Sequence, residues 1–306
     1  MKPVVAIFAQ GTMGAGIAGV LTAHGVSVIT ALEGRSAESA KRAHAAGMEA
    51  VAFDQLAHAD IVLSILPPVE ALPFARRIAP SLTQAAHKSL FVDCNAVSPD
   101  TVRAIEAVIA ETGAPFADIG IIGLPPCQAS PPRLYAAGAK LTQLSALNEF
   151  GLDIRPMEGP PGTASALKMA YAGITKGLIA VASSMILGAS RAGVADALAA
   201  ELNASEPQLF ASLSRRIVDM TPKAHRWVAE MREISAFVRA EPGSAQMYQG
   251  AAALYEQLAK DAAGSHERSD ALREFFSNEF AKSSRPTPLG VADALSNPRA
   301  QASGSR

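Results

Sequence analysis

Cysteine is nearly absent from this sequence. The chain of 306 residues contains two, Cys94 and Cys127. Two cysteines are too few for a disulfide framework, and their positions do not match the spacing of metal ligands. We therefore expect a protein of a reducing compartment, with chemically passive cysteines and no bound metal.

An excess of charge of one sign is also lacking. The formal net charge is −1 and no block of like charges occurs, which argues against a nucleic acid or a charged membrane surface as a partner. The first residues lack the basic region, apolar core and cleavage site of a secretory signal. Gly, Lys or Ser interrupts the apolar stretches, so we expect no membrane-spanning segment. The expected location is cytoplasmic.

Hydrophobic residues, in contrast, are abundant. They make up 49% of the chain, and a chain of this length normally divides its core between two domains. The sequence predicts a dinucleotide-binding domain at 1–160 and an all-helical substrate and dimerisation domain at 161–284. A tail at 285–306, rich in Ser, Pro, Ala and Gly, is predicted to be flexible.

The first half of the chain alternates short β-rich runs with helical segments. This alternation is typical of a parallel sheet covered by helices on both faces. The predicted fold class is therefore α/β, with a Rossmann-like, doubly wound sheet in the N-terminal domain. The predicted strands lie at 4–8, 26–30, 61–66, 90–92, and from 115 to 118 and beyond.

The second half has a different pattern. After Pro160, Pro161 and Gly162, apolar and small residues recur at helical spacing, and no strand pattern follows. This predicts an all-α C-terminal domain that opens with a long helix. Further helices are predicted near 195–202, 208–216, 224–238, 245–263 and 269–281.

A glycine-spaced turn follows the first predicted strand and opens a helix. Such a helix start presents unpaired N–H groups and the positive end of the dipole, where a pyrophosphate can approach. Ala9 replaces the first glycine of the full fingerprint, so the turn alone is a weak signal. A second β-rich run and an acidic residue about 20 positions further on support dinucleotide binding. The residues predicted to bind the cofactor here are Gln10, Gly11, Thr12, Met13 and Gly14.

The segment after the second strand bears on the choice of cofactor. Glu33 is typical of NAD binding, whereas Arg35 with the neighbouring Ser36 suits the extra phosphate of NADP. We favour NADP, because Gly34 can bend the chain to bring Arg35 and Ser36 over the ribose, and NAD stays possible.

Two later strand ends are further candidate walls of the cofactor site. In open α/β sheets, ligands bind outside the carboxyl ends of the strands. Leu66 and Pro67 follow one predicted strand, and Asn95 follows the next. We therefore predict that these three residues line the cofactor crevice.

The order of these motifs resembles that of a known family. The chain is similar to β-hydroxyacid dehydrogenases, the superfamily of 6-phosphogluconate and 3-hydroxyisobutyrate dehydrogenases, over about its first two-thirds. Segments 226–231 and 247–251 resemble a branch whose helical C-terminal domain has no assigned function. The resemblance implies the fold and a nicotinamide cofactor, and it names no substrate. The motifs that carry it are 11–14, 66–67, 95–99, 118–123 and 162–168.

Lys168 is the residue predicted to carry the chemistry. A lone lysine on an apolar helix is often a surface residue with a buried stem, but a lysine in an apolar cleft can exchange a proton near neutrality. The resemblance favours the second interpretation, because the family places its catalytic lysine at this point. It implies hydride transfer between the nicotinamide and a hydroxy acid, sugar acid or related carbonyl compound, with Lys168 as acid or base.

Two family residues that bind the substrate are missing. Ile122, beside Gly123, occupies the place of a serine that binds a carboxylate, and Ala172 replaces an asparagine. We therefore expect a bulkier or less acidic substrate at Ile122 and Gly123. Tyr171 and His225 are candidate replacements, as are Thr175, Lys176, Arg226 and Trp227, although such a residue taken alone more often has a structural role.

Two alternative functions stay open. An imine reductase shares this architecture but typically lacks the lysine, and a dinucleotide sensor would bind NADPH without turnover. The apolar helices, together with the resemblance, predict a homodimer that acts on a small molecule. The substrate, the physiological direction, any decarboxylation and the dimer interface are not fixed by the sequence.

Overall fold

A computed structural model describes residues 2–126 and 131–283. Cys127 and the predicted tail at 285–306 lie outside the described residues. The strands are β1 (Val4–Phe8), β2 (Ser27–Thr30), β3 (Glu49–Ala50), β4 (Ile61–Ser64), β5 (Leu90–Asp93), β6 (Phe116–Ile122), β7 (Arg133–Gly138) and β8 (Asp153–Pro156).

Helices connect the strands and then form the rest of the described chain. Those among the strands are α1 (Thr12–Ala23), α2 (Ala37–Ala45), α3 (Pro68–Gln84), α4 (Pro99–Ala110) and α5 (Leu141–Ser145). The helical region comprises α6 (Thr163–Arg191), α7 (Ala195–Ser205), α8 (Pro207–Met220), α9 (Ala224–Phe237), α10 (Pro242–Ala262) and α11 (Glu267–Ser283).

The eight strands form one sheet in the order β3-β2-β1-β4-β5-β6-β7-β8. β1 to β6 are parallel, and the order reverses direction at β1, where ligands of such sheets bind. The predicted fold class is confirmed. The sheet is not parallel throughout, however, because β7 runs antiparallel to β6 and β8 runs parallel to β7.

Both faces of the sheet are covered, which explains the nearly continuous apolar character of its strands. Along β1, Ile7 points into the core on one face, while Ala6 and Phe8 point into the core on the other. The Phe8 ring stacks on the Phe74 ring of α3 with centroids 4.6 Å apart. Helices on both faces thus fix the carboxyl ends of β1 and β4.

The start of α6 is fixed on β6 by two features. The buried carboxylate of Asp118 accepts hydrogen bonds from the N–H groups of Gly162 and Ser165, both at 2.8 Å. Gly120 permits close packing, because a Cβ at this position would lie 2.5 Å from the Ala164 carbonyl oxygen and 3.1 Å from the Lys168 Cβ. Lys168 is therefore held against the sheet near the carboxyl end of β6.

The helical region has its own core, built around Phe210 and Tyr255. α9 packs along α10, and α6 packs against both. An all-helical region after the sheet is as predicted from the sequence. The domain limits at 160/161 and 284/285 remain predictions.

One described helix, α6, is long and apolar enough by length and composition to cross a membrane. It has 29 residues, and its most apolar window has a mean hydropathy of 1.5 and is 39% buried. The expectation that the apolar stretches are too short or too broken was wrong for this helix. α6 packs against β6, α9 and α10, as the core helix of a protein outside a membrane also does, and the absence of a membrane partner stays a prediction.

Candidate active site

The N-terminus of α1 lies open at the carboxyl end of β1. Gly11 caps the helix without a side-chain hydrogen bond, and the first turn has no acidic residue. Nothing lies within 4 Å of the place of a Gly11 Cβ, whereas a Gly14 Cβ would meet the Ala9 carbonyl oxygen at 2.1 Å. Thr12 is exposed and Met13 is half-buried. This helix start therefore fits a pyrophosphate, with Gly14 needed for the turn itself.

The side chain of Gln10 does not line the crevice. It is fully buried, and its amide donates to the Thr30 hydroxyl and, at 2.9 Å, to the Ala31 carbonyl oxygen. Arg42 in turn donates to the Gln10 carbonyl oxygen at 2.8 Å. Gln10 therefore holds the turn against β2, and any cofactor contact is left to its main chain.

Arg35 lies beside a cavity of about 180 Å³ at the end of β2. Its guanidinium lies over the Phe8 ring, 5.3 Å from the centroid, and its Nε is buried without a hydrogen-bond partner. Gly34 has a φ of 69°, so it makes the bend expected from the sequence. An unpaired donor on a cation is what a 2′-phosphate would satisfy, and these residues fit NADP.

Glu33 and Ser36, on either side of this bend, have local partners. The Glu33 carboxylate pairs with Arg77 of α3 at 3.1 Å. Ser36 is the N-cap of α2, and its hydroxyl oxygen accepts from the Ser39 N–H at 3.2 Å. Ser36 therefore has a structural role whether or not it also binds a phosphate.

Leu66, Pro67 and Asn95 meet where β4 and β5 end. The Asn95 side chain accepts from the Leu66 N–H at 2.5 Å and donates to the Ser64 hydroxyl at 2.9 Å. Leu66 also lines the cavity beside Arg35, and Pro67 precedes α3 as its N-cap. The structure thus brings Leu66 to the predicted crevice, while the buried Asn95 side chain joins the two strand ends.

A buried carboxyl group, Asp93, stands at the end of β5. Burial raises the pKa of Asp93 to about 7, against the lowering effect of a hydrogen bond from Asn95. Burial also raises the pKa of the neighbouring Cys94 thiol, which agrees with a passive cysteine. Among the described residues, no group of three or more His, Cys, Asp or Glu side chains could hold a metal ion, and a metal-free site stays a prediction.

Lys168 forms part of a buried charge cluster with Glu230 of α9 and Lys176 of α6. The Lys168 Nζ lies 3.6 Å from the Glu230 Oε1, and the Lys176 Nζ contacts the Glu230 Oε2. The Lys168 side chain is 16% exposed, so it does not extend freely into solvent. We call these three residues the lysine cluster.

The environment of the lysine cluster shifts two pKa values. Burial alone would raise the pKa of Glu230, but the ammonium groups of Lys176 and Lys168 outweigh it, and the net shift is downward. Burial lowers the pKa of Lys176, and Glu230 opposes this effect. Glu230 is therefore ionised at neutral pH.

Two aromatic residues complete the surroundings of Lys176. Its ammonium group lies 4.8 Å from the centroid of the Trp227 ring, which favours a cation. The Tyr255 hydroxyl donates to the Lys176 carbonyl oxygen at 2.6 Å. Trp227 was among the further substrate candidates, but its contacts are with Lys176 and Tyr255.

The predicted substrate residues do not all gather around Lys168. Because side chains alternate along a strand, Ile122 shares a face of β6 with Asp118 and Gly120, next to α6, and it is buried. Gly123, directly after the end of β6, has a φ of 134°. Tyr171 is 43% exposed, and His225 is exposed in the first turn of α9.

Comparison with known proteins shows the family of this chain. Residues 5–140 match the family of the NAD binding domain of 6-phosphogluconate dehydrogenase, and residues 189–258 match a domain of unknown function, DUF1932. An uncharacterised 28.5 kDa protein in the 7S RNA 5′ region of Methanothermus fervidus is 30% identical over 70% of this chain and 82% of its own. The chain belongs to the 6-phosphogluconate dehydrogenase-like superfamily.

Solved structures show the same fold as this superfamily member. A conserved protein of unknown function with structural similarity to 3-hydroxyacid dehydrogenases is 29% identical, with a TM-score of 0.65 over 85% of this chain and 98% of its own. The 3-hydroxyisobutyrate dehydrogenase of Mycobacterium tuberculosis, solved with L-serine, is 20% identical, with a TM-score of 0.69 over 90% of this chain and 99% of its own. The N-terminal part is thus an NAD(P)-binding domain.

Sequence reasoning missed three acidic residues of this superfamily member. Asp118 lies in a motif that carried the resemblance, but no pattern indicated that it caps α6. Glu233 accepts from the Ser98 N–H at 2.7 Å and so joins α9 to α4. Glu230 stands one turn before Glu233, and nothing in the sequence distinguished it from a solvent-facing helix residue.

Proposed function

We propose that this superfamily member is an NADP-dependent oxidoreductase that transfers a hydride between the nicotinamide and a hydroxy acid, sugar acid or related carbonyl compound. The observation that carries the proposal is the place of Lys168. Its side chain lies against Gly120 near the carboxyl end of β6, at the same edge of the sheet as the open start of α1. Ligands of open α/β sheets bind at this edge, so an amine and a helix start that both lie there support a role in proton transfer and in dinucleotide binding.

The bound cofactor would supply or accept the hydride. The N–H groups at the start of α1, beside Gly11, would hold the pyrophosphate, and Arg35 would hold the 2′-phosphate. Lys168 would donate a proton to the carbonyl oxygen during reduction or take one from the hydroxyl during oxidation. The carbon skeleton of the substrate would rest on Ile122 and Gly123.

The role of Lys168 is tested with Lys168→Met. We expect NADPH affinity, measured by fluorescence titration, to stay within a factor of about two, and turnover on a panel of hydroxy and keto acids to fall by roughly 10²–10⁴-fold. Lys223→Met is the matched control, because Lys223 is an exposed lysine outside the crevice. Normal turnover by Lys168→Met would refute the assignment.

The preference for NADP is tested with Arg35→Ala. Loss of a charge-assisted contact to a phosphate is expected to weaken NADPH binding by roughly 10-fold or more, with little change for NADH. Arg77→Ala is a useful comparison, because Arg77 lies at the same cavity but pairs with Glu33. Equal effects of Arg35→Ala on the two cofactors would contradict a role at the 2′-phosphate.

The same assays separate the alternatives. An imine reductase would reduce cyclic imines, or ketones mixed with amines, in preference to keto acids, and it is favoured by the absence of the two polar substrate residues at positions 122 and 172. A sensor would bind NADPH and turn over none of these compounds. The presence of Lys168 leads us to place the dehydrogenase first.

We also propose that the protein is a homodimer of the cytoplasm. α6 presents a row of exposed apolar side chains, with Ile174 72%, Val181 52% and Met185 61% exposed. These three side chains line one wall of a groove of about 470 Å³, and α10 forms the other wall. Such an apolar patch is typical of a protein interface, and the same patch on two copies of the chain can meet across a two-fold axis.

Light scattering after size exclusion tests the dimer. Val181→Lys with Met185→Lys is expected to produce a monomer, because each lysine would have to be buried without a partner. Val218→Lys is the matched control, since Val218 is exposed on α8 outside the groove. A monomeric wild-type protein would end the proposal.

A further inference from the structure

The two lysines of the lysine cluster share one buried carboxylate. Lys176 contacts the Oε2 atom of Glu230. The Oε1 atom is buried and has no hydrogen-bond partner, and it faces the Lys168 Nζ at 3.6 Å, slightly beyond hydrogen-bond distance. A small rotation of the Lys168 side chain would satisfy this oxygen.

A structural role for Glu230 does not explain this arrangement. Glu233, one turn later on α9, shows what such a role requires: its carboxylate accepts from the Ser98 N–H at 2.7 Å and the Thr101 hydroxyl at 2.9 Å. Glu230 instead lies buried with one oxygen unpaired, and burying an ionised carboxylate is costly unless it is paired. Lys176 alone would neutralise it, so a second lysine beside the free oxygen points to a function.

We propose that Glu230 is a positioning residue for Lys168, and that Lys176 balances the charge of Glu230. Glu230 orients the Lys168 amine in the crevice and favours its ammonium form, while the Lys176 cation favours its neutral form. The two charges therefore act on the Lys168 amine in opposite directions. This inference rests on the proposed role of Lys168 as acid or base.

Other titratable groups face the region from the packed elements. Asp118 of β6 is bonded to the start of α6, Glu233 of α9 is bonded to α4, and Asp93 of β5 pairs with Asn95. Arg226 of α9 acts on Lys176, and Tyr255 of α10 donates to the Lys176 main chain. The ionised carboxylate of Glu230 lies 3.6 Å from the Lys168 amine, so Glu230 is the residue to vary.

The proposal predicts shifts of opposite sign. Glu230→Gln removes the anion and leaves Lys176, so the pH at which half of the Lys168 amines react with an acylating reagent falls by about one unit. Lys176→Met leaves the anion and raises this midpoint by a similar amount. The double variant returns close to wild type, because it removes one charge of each sign.

The experiment is competitive acetylation with acetic anhydride over a neutral-to-alkaline pH series. The full chain is used without cofactor, and the Lys168 peptide is quantified by mass spectrometry. Glu233→Gln is the matched control, since it removes the same charge from the next turn of α9, and its midpoint is expected to stay at the wild-type value. Shifts of the same sign in Glu230→Gln and Lys176→Met, or no shift in either, would overturn the proposal.

A second variant guards against misfolding and separates the two proposals. Glu230→Asp keeps the charge but retracts it by one methylene, so its midpoint is expected near wild type while turnover falls through poorer orientation. The pH profile of kcat/KM is expected to follow the acetylation midpoint in Glu230→Gln and not in Glu233→Gln. If no substrate on the panel is turned over while the midpoints still move in opposite directions, the proposed function fails and the coupling of Glu230 to Lys168 stands.

Discussion

Asp93 makes the stability of this protein depend on pH. The group is buried, its Oδ1 accepts from the Asn95 amide, and its Oδ2 has no hydrogen-bond partner. Burial raises the pKa of Asp93 from 3.8 to about 7. Asp93→Asn keeps the shape and one acceptor oxygen but cannot ionise, so it isolates the effect of this charge.

The direction of the pH dependence follows from the two protonation states of Asp93. The pKa of Asp93 is higher in the folded chain than in the unfolded chain, so its protonated form favours folding. The contribution of this group to the free energy of unfolding is complete below about pH 4 and is lost as pH rises through about 7. A difference of about three pKa units corresponds to at most about 4 kcal/mol.

Urea unfolding followed by circular dichroism, from about pH 4 to about pH 9, measures this loss. Wild type and Asp93→Asn are expected to be similar at the acid end, and the variant becomes the more stable of the two as pH rises. Asp54→Asn, at an exposed position, is the control for an equal change of charge. Parallel curves for wild type and Asp93→Asn would refute the assignment of a buried, ionising carboxyl group.

Two further predictions concern the crevice. Gly14→Ala places a Cβ against the Ala9 carbonyl oxygen, so NADPH affinity in a fluorescence titration is expected to fall at least about 10-fold. Gly19→Ala is the control and is expected to keep wild-type affinity, because a Cβ at position 19 meets nothing within 4 Å. Equal affinities of the two variants would contradict the role of the turn. Asp118→Ala removes the acceptor of two N–H groups at the start of α6, so the free energy of unfolding, measured by urea titration, is expected to fall by about 2–4 kcal/mol. Asp118→Asn keeps one acceptor oxygen and is expected to lose less. An unchanged unfolding midpoint in Asp118→Ala would show that this cap does not stabilise the fold.

The sequence predicted the parts of the fold that depend on local pattern. Alternating strands and helices and the glycine turn are properties of short segments, and the observed β1, β4 and β5 lie at the expected places. β7 and β8 were not identified, because strand direction depends on which strands pair, and pairing involves distant segments. β4 also ends at Ser64 rather than continuing to position 66, since the Leu66 N–H is taken by the Asn95 side chain.

The motifs predicted polar residues at the glycine turn and at the strand ends, but the hydrogen-bond partners of these residues could not be read from the motifs. Gln10, Ser36 and Asn95 lie where the spacing indicated, yet all three side chains bond to the protein itself. A motif fixes the path of the main chain. Which side-chain atoms stay free depends on residues that the motif does not contain, such as Thr30 and Ser39.

The chemistry of the carboxyl edge is set by surroundings rather than by residue type. Three buried acids have different partners: Asp118 accepts from the N–H groups of α6, Glu230 lies beside two lysines, and Asp93 accepts from one amide. The pKa is accordingly raised by burial at Asp93 and Asp118 and lowered by the lysines at Glu230.

Stability and the reactivity of the Lys168 amine are therefore expected to depend on pH through different residues of this protein. Asp93 governs stability through a charge that the fold does not compensate, whereas Glu230 and Lys176 govern the amine of Lys168 through charges that compensate each other. Asp93→Asn is expected to change the pH profile of unfolding and leave the acetylation midpoint of Lys168 nearly unchanged, and Glu230→Gln is expected to move that midpoint. If Asp93→Asn moved both, the two acids would belong to one electrostatic unit, and the balance attributed to Lys176 would have to include Asp93.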